Sequence, residues 1–390
     1  MKILHTSDLH LGAKTEGFSR ACEQRSILFE IAKIAYDEKI DVVVIAGDIF
    51  HVANPSAEAE DMFYEFLEKL TKNNDRVVLV VAGNHDDPKR LACVAPLAKR
   101  HNIVLCTDLA PLPAFGNLGE IRITKTSRGF VEIEKGKETI CAALLPYASE
   151  SRILPSLEGQ NIQIHETYEQ NVEEWANFVA KNFKKDAFNL FVSHQYIVGA
   201  KIPEGKQNRT VSIGETLSVS ANIFPDCDYV AVGHLHSCQK IKGTKNTYYS
   251  GATIRLRAYD SDPRVLVFDT QNPNPKEIAL TSAAKIVELK AKNVEDAVAA
   301  LEKQDKNSLV YLTLTNVPNI SPLEIKEIRK IGPIVLAIKI IKKVSNSENS
   351  VDVKNISPSE LFVEFVKQKT GDAPSEKLLS MFLEILEENE

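Results

Sequence analysis

Five short apolar runs, each closing on a residue able to bind a metal ion, constrain this chain more than any other feature. The runs are Ile3–Leu4, Val42–Ala46, Val77–Ala82, Leu190–Val192 and Tyr229–Val232. They are rich in β-branched residues and apolar throughout rather than alternating, the pattern of strands buried on both faces. The residues that follow them are Asp8-Leu9-His10, Gly47-Asp48, Gly83-Asn84-His85-Asp86, His194 and Gly233-His234-Leu235-His236. In sheets of this kind, ligands collect beyond the carboxyl ends of the strands. Five strand ends would therefore bring Asp8, His10, Asp48, Asn84, His194, His234 and His236 to one rim. One Asp-x-His is a chance event; five such endings in order are not.

Between the runs, Cys22–Glu38, Ala57–Lys72 and Glu166–Phe183 have helical spacing and length, and the stripe Phe63, Phe66, Leu67, Leu70 is a core face. Residues Glu120–Leu145 alternate through Ile121, Ile123, Val131 and Ile133, which predicts an added antiparallel sheet. A mixed α/β fold follows. The prolines and asparagines of QNPNP, 271–275, break the pattern and suggest a boundary. Residues 284–344 then predict a small β-α-β-α-β domain: Ile286–Leu289, Val294–Glu302, Leu309–Leu314, Pro322–Lys330 and Ile334–Ile341. Ser321-Pro322-Leu323-Glu324 is a capping box with proline at the first helical position. A polar stretch around Ser345–Asn349 reads as a linker. A second box at Ser357–Glu360 opens a helix with Leu361, Phe362, Phe365 and Val366, and another carries Leu378, Leu379, Phe382, Ile385 and Leu386. Two short amphipathic helices cannot bury much against each other, so they dock on the body or anchor a partner.

The donor types favour Mn²⁺, Fe²⁺ or Zn²⁺ over softer ions. A carboxylate among them could bridge two cations about 3.5–4 Å apart, the spacing used to hold phosphoryl oxygens. Gly47, Gly83 and Gly233 allow tight turns after their strands. His5, His101 and His165 read as satisfied histidines rather than ligands.

The net charge of −6 lends a nucleic-acid partner no support. Its distribution weakens the objection, since residues 371–390 hold six acids against Lys377 alone. The six cysteines form no CxxC pair and read as reduced thiols. Met1–Leu11 is neither a secretory nor a transit segment, and no apolar stretch is long enough to span a membrane. The expected compartment is the cytoplasm.

The endings D-x-H, G-D, G-N-H-D, H and G-H-x-H over residues 8–236 resemble the motifs of the calcineurin-like metallophosphoesterase superfamily. The resemblance implies a two-sheet core flanked by helices. It implies one cation held by Asp8, His10, Asp48 and His236, and a second by Asp48, Asn84, His194 and His234, with Asp48 bridging. His85 would assist the leaving oxygen and Asp86 would orient His85. The segments ILHTSDLHLG at 3–12, IAGDIF at 45–50, AGNHDDPKRL at 82–91, VGHLH at 232–236 and YSGA at 249–252 resemble the SbcD branch of that superfamily. That resemblance implies a nuclease domain (1–280), a capping domain (281–345), a linker (346–355) and a helix pair (356–390) gripping an SbcC-type coiled-coil ATPase. It further implies cleavage of DNA ends and hairpins with two Mn²⁺ ions, by a homodimer within a nucleoid-associated heterotetramer. His51, which stands where some members have aspartate, would position the phosphate. Lys89, Arg90, Arg209 and Arg255 are candidate DNA contacts. Two rival readings are a phosphoesterase of small phosphodiesters and a non-catalytic scaffold, and neither explains the cap, the helix pair and the intact ligand set together.

Overall fold

The run Val42–Ala46 shows how the sequence builds the body. All five residues are buried, and successive side chains on a strand point to opposite faces, so each face needs a partner. Val43 and Ile45 pack on the helices Ala21–Asp37 and Ala57–Thr71, in a core with Ile27, Ile31, Phe63 and Phe66. Val42, Val44 and Ala46 face a second sheet, in a core with Leu190, Val192, Tyr229 and Ala231. The outer face of that second sheet is covered by the helix Tyr168–Ala180, with Val172, Trp175 and Val179 packed on Phe191, Val230 and Val232. The result is helix, sheet, sheet, helix. This computed structural model describes residues 1–71, 74–116, 119–160, 162–201, 217–258, 260–317 and 319–341, with scattered residues between 362 and 382.

The first sheet has the order Asn272–Ala279, Arg264–Asp269, Lys2–Thr6, Val42–Ala46, Val77–Val81, Ile103–Cys106. The last four strands are parallel; the first two pair antiparallel. The QNPNP stretch is thus no break between domains. It supplies a hairpin turn and the edge strand Asn272–Ala279, where proline can sit because one side of an edge strand makes no ladder bonds.

The second sheet runs Gln239–Lys240, Thr247–Tyr249, Tyr229–Gly233, Phe188–His194, Glu138–Leu145, Phe130–Lys135, Ile121–Ser127. The expected antiparallel strands of 120–145 are present, but they are not an added sheet. Glu138–Leu145 pairs parallel with Phe188–His194, which merges the meander into the second sheet.

Farther along, Ile286–Ala291, Leu309–Leu314 and Ile334–Ile340 form a parallel three-stranded sheet with the helices Val294–Leu301 and Pro322–Ile328. Ser321 and Glu324 close the expected capping box, Glu324 N–H donating to Ser321 Oγ at 3.3 Å and Ser321 N–H to the Glu324 carboxylate at 2.7 Å. Met1–Ile341 forms one compact unit and Lys342–Glu390 another. In the second unit the rings of Phe362 and Phe382 stack 4.0 Å apart at 5°. The expected linker 346–355 and the box at Ser357–Glu360 lie outside the described residues. Among the described residues, no helix is long and apolar enough to cross a membrane.

Candidate metal centre

The backbone at the strand ends is strained where the candidate ligands sit. Asp8, His10, Asp48 and His234 all adopt positive φ, at 52°, 46°, 52° and 105°. Non-glycine residues avoid this region, at a cost of about 1–3 kcal/mol each, unless the surroundings impose it. Hydrogen bonds across the rim impose it here: Asp8 N–H donates to the Gly47 carbonyl at 2.9 Å and His10 N–H to the Asp48 carbonyl at 3.0 Å. Of the three glycines, only Gly47 uses a left-handed turn, at φ +88°. Gly83 and Gly233 are needed for space. A Cβ on Gly83 would overlap the Asp48 carboxylate, and one on Gly233 the Ala46 carbonyl.

The seven candidate ligands converge, but from two sheets rather than one. Asp8, His10, Asp48 and Asn84 follow strands of the first sheet, while His194, His234 and His236 end strands of the second or follow them. His10 Nε2 lies 3.0 Å from His236 Nε2, 3.7 Å from Asp48 Oδ2 and 4.0 Å from Asp8 Oδ1. Asn84 Oδ1 lies 3.1 Å from His194 Nε2 and 2.8 Å from His234 Nδ1, and Asp48 Oδ1 is 3.5 Å from His194 Nε2. Ligand bonds of about 2.0–2.2 Å around one cation put neighbouring donors roughly 3–4 Å apart. Both groups fit that spacing. Asp48 faces one with Oδ2 and the other with Oδ1. His194 Nδ1–H donates to the Ala46 carbonyl at 2.7 Å, which leaves Nε2 as its donor atom.

The charges of the rim set one another's protonation. Burial pushes the Asp8 carboxyl up to about 6, with His194 drawing it down and Asp48 pushing it up. Burial opposes charge on Asp48 too, but His194 holds its carboxyl well below the usual carboxylate range. Against its own burial, His194 is held up at about 9 by Asp48, with Asp8 adding to the effect. Burial drives His10 down to about 3, so it stays a neutral donor.

The structure revises several expected roles. Asp86 does not orient the His85 ring. Its carboxylate is buried and accepts from the backbone of Ile49 (3.2 Å), Phe50 (3.0 Å) and Gly83 (2.8 Å), so it ties two strand-end loops together. His85 is oriented instead by Nδ1–H donating to the His51 carbonyl at 2.8 Å, which leaves Nε2 as the nitrogen outside that bond. The His51 ring is half-buried and stacks 5.9 Å from His85 at 21°. Arg255 is no open DNA contact: it is buried, donating to the Ala284 carbonyl at 2.9 Å and pairing with Asp262. Arg90 is engaged by Glu60 at 2.8 Å and Asn54 at 2.8 Å, while Lys89 is exposed. Arg209 lies outside the described residues. His5 is a core histidine, driven down to about 3 by burial, with Nδ1 3.3 Å from the Tyr229 hydroxyl.

Sequence reasoning missed three contributors. Ser7 Oγ donates to Asp8 and meets Ser250 Oγ at 2.8 Å; Ser250 belongs to the YSGA segment, which was a signal. Tyr147 stacks on His234 with ring centroids 6.2 Å apart. Arg152 reaches the Gly83–Asp86 loop. Neither carries a motif.

Residues 1–238 match the family model of calcineurin-like phosphoesterases. The SbcD component of the Bacillus subtilis SbcCD nuclease is 31% identical over 99% of this chain and 97% of its own length. The corresponding Staphylococcus epidermidis protein is 25% identical over 95% and 94%. The solved TT1561 protein of Thermus thermophilus overlaps 72% of this chain and 98% of its own, at 13% identity and a TM-score of 0.36, too loose a fit to add anything. With the family model matching residues 1–238 and the alignment running nearly end to end, the chain belongs to the calcineurin-like phosphoesterase family, within its SbcD-type branch of metal-dependent nucleases.

Proposed function

We propose that this chain is a DNA exonuclease and endonuclease that hydrolyses phosphodiester bonds at ends and hairpins with two divalent cations, Mn²⁺ foremost. The observation that carries the reading is Asp48, whose two carboxylate oxygens face two separate donor groups. One cation would be held by Asp8, His10, Asp48 and His236, the other by Asp48, Asn84, His194 and His234. When bound, the pair supplies an activated water and neutralises phosphate charge. The chain's own part is to fix the phosphate and manage a proton. His85 Nε2 is the nitrogen left to meet the leaving sugar oxygen, because Nδ1 is bound to the His51 carbonyl. His51, half-buried beside it, would position the phosphate, and Lys89 is exposed where a phosphate could be met.

The chain would work beside an SbcC-type coiled-coil ATPase, as a homodimer within a heterotetramer, in the cytoplasm at the nucleoid. The boundaries proposed are 1–280 for the nuclease, 281–345 for the cap, 346–355 for the linker and 356–390 for the ATPase-binding helix pair. Exposed Phe365, Leu378 and Met381 support an anchoring role for that last segment. The test is cleavage of linear and hairpin DNA with Mn²⁺, with and without the ATPase, by the full chain and by a chain lacking 356–390. The truncated protein should cleave single-stranded DNA and lose ATPase binding. No Mn²⁺-dependent cleavage by the full chain would sink the nuclease reading. Unchanged ATPase affinity after truncation would sink the anchor.

A further inference from the structure

Arg152 lies on the short helix Glu150–Glu158, outside every motif of the centre. Its guanidinium donates through Nη1 to the Gly83 carbonyl at 3.1 Å and the Tyr147 carbonyl at 3.5 Å, and through Nη2 to the Asp86 carbonyl at 2.9 Å. Gly83 and Asp86 are the two ends of the loop that carries Asn84 and His85. One planar group therefore brackets the loop, a task for a rigid fork of donors rather than a single point charge.

A second route starts from the same group. The guanidinium sits over the Tyr147 ring at 5.8 Å. That ring stacks on His234 at 20° and meets His194 edge-on, with centroids 6.2 Å away in both cases. Tyr147 is itself pinned, its N–H donating to the Ala82 carbonyl at 2.8 Å. Both routes lead to the same half of the centre: Asn84 through the loop, His234 and His194 through the ring.

A positive charge beside a cation site opposes cation binding, so what Arg152 contributes here is geometry. We propose that Arg152, through the Gly83–Asp86 loop and the Tyr147 ring, is the positioning residue for the cation held by Asn84, His194 and His234. The inference rests on the two-cation reading above.

The test is calorimetric Mn²⁺ titration of the full chain as wild type, Arg152→Lys, Arg152→Met and Asn84→Ala, with DNA cleavage followed against Mn²⁺ concentration. In both Arg152 variants one Mn²⁺ equivalent should weaken by about 10–100-fold, the usual effect of losing a partner that orients metal ligands. The other equivalent should hold, and raising Mn²⁺ should restore cleavage. Lysine should fail to rescue because one ammonium cannot span both carbonyls. Wild-type affinity for both equivalents, tighter binding, or equal weakening of both would overturn the proposal. So would lost cleavage that Mn²⁺ does not restore. A wild type that binds one equivalent, or an Asn84→Ala chain that loses none, would instead bring down the two-cation reading itself. Should Arg152→Met fail to fold, Arg152→Lys and Tyr147→Leu carry the same test.

Discussion

The rim at the strand ends and the stretch Thr281–Lys285 that leads to the three-stranded sheet both depend on charged side chains, used in opposite ways. Along 281–285 the backbone is held by charged side chains from elsewhere in the chain. Glu30 accepts from Thr281 N–H (2.8 Å), Thr281 Oγ1 (2.7 Å) and Ser282 N–H (2.8 Å). Although burial pushes its carboxyl up, these bonds hold Glu30 below its ordinary value. Glu23 accepts from Ala284 N–H at 2.8 Å and from Arg20, while Arg255 donates to the Ala284 carbonyl at 2.9 Å. At the rim, imidazole nitrogens face one another and two carboxylates share one buried space, on backbone held at positive φ. Along 281–285 the carboxylates close a clamp on neighbouring backbone, whereas at the rim carboxylates and imidazoles from two sheets converge on one another.

Asp48→Asn tests this difference most severely. It removes charge from both donor groups at once and should eliminate Mn²⁺-dependent cleavage while the fold survives, since the residue sits on the rim. Near-wild-type, chelator-sensitive activity in that variant would show that the bridge is misassigned. His85→Ala should slow cleavage by about 10²–10⁴-fold, the usual worth of a positioned acid or base, with both metal equivalents retained. Single-turnover rates beside metal analysis decide it, and loss of one equivalent would make His85 a ligand instead.

Binding of Mn²⁺ to the rim should raise stability by about 2.7 kcal/mol per site at a hundredfold excess over Kd. A melting temperature indifferent to chelator would mean that the rim, like the 281–285 stretch, is satisfied by its own contacts. Arg255→Met should lower stability by about 1–3 kcal/mol, because it orphans the Ala284 carbonyl. Cleavage by the folded variant should stay near wild type, and a large rise in KM for DNA would restore Arg255 as a DNA contact. The smallest effect is expected at Arg90→Gln. Its pair with Glu60 is exposed to solvent, where screening leaves an ion pair little worth, so denaturant midpoints should barely move.

Much of the centre was legible because metal ligation demands particular residue types, and strands demand apolar runs just before them. Val42–Ala46 and the tip Gly47-Asp48 could be read directly, as could the capping box at Ser321. The joining of Glu138–Leu145 to Phe188–His194 was hidden, since alternation marks a strand without naming its partner. Asp86 misled for a related reason. A carboxylate beside a candidate catalytic histidine looks like its orienting partner, yet backbone amides from another loop claimed it. Arg255 looked like a phosphate contact because sequence shows a charge and not its burial.

What the sequence by itself determined was the inventory: which side chains can bind a cation, and which strands deliver them. That follows from local chemistry, each ligand lying within a few residues of the buried run that aims it. Only the tertiary structure shows how the members of that inventory meet. The split of Asp48 between two donor groups and the bracketing of Gly83–Asp86 by Arg152 join residues far apart in the chain. So does the close approach of Gly233 to Ala46. Such contacts arise when two sheets pack face to face, and no local pattern in the sequence encodes that meeting.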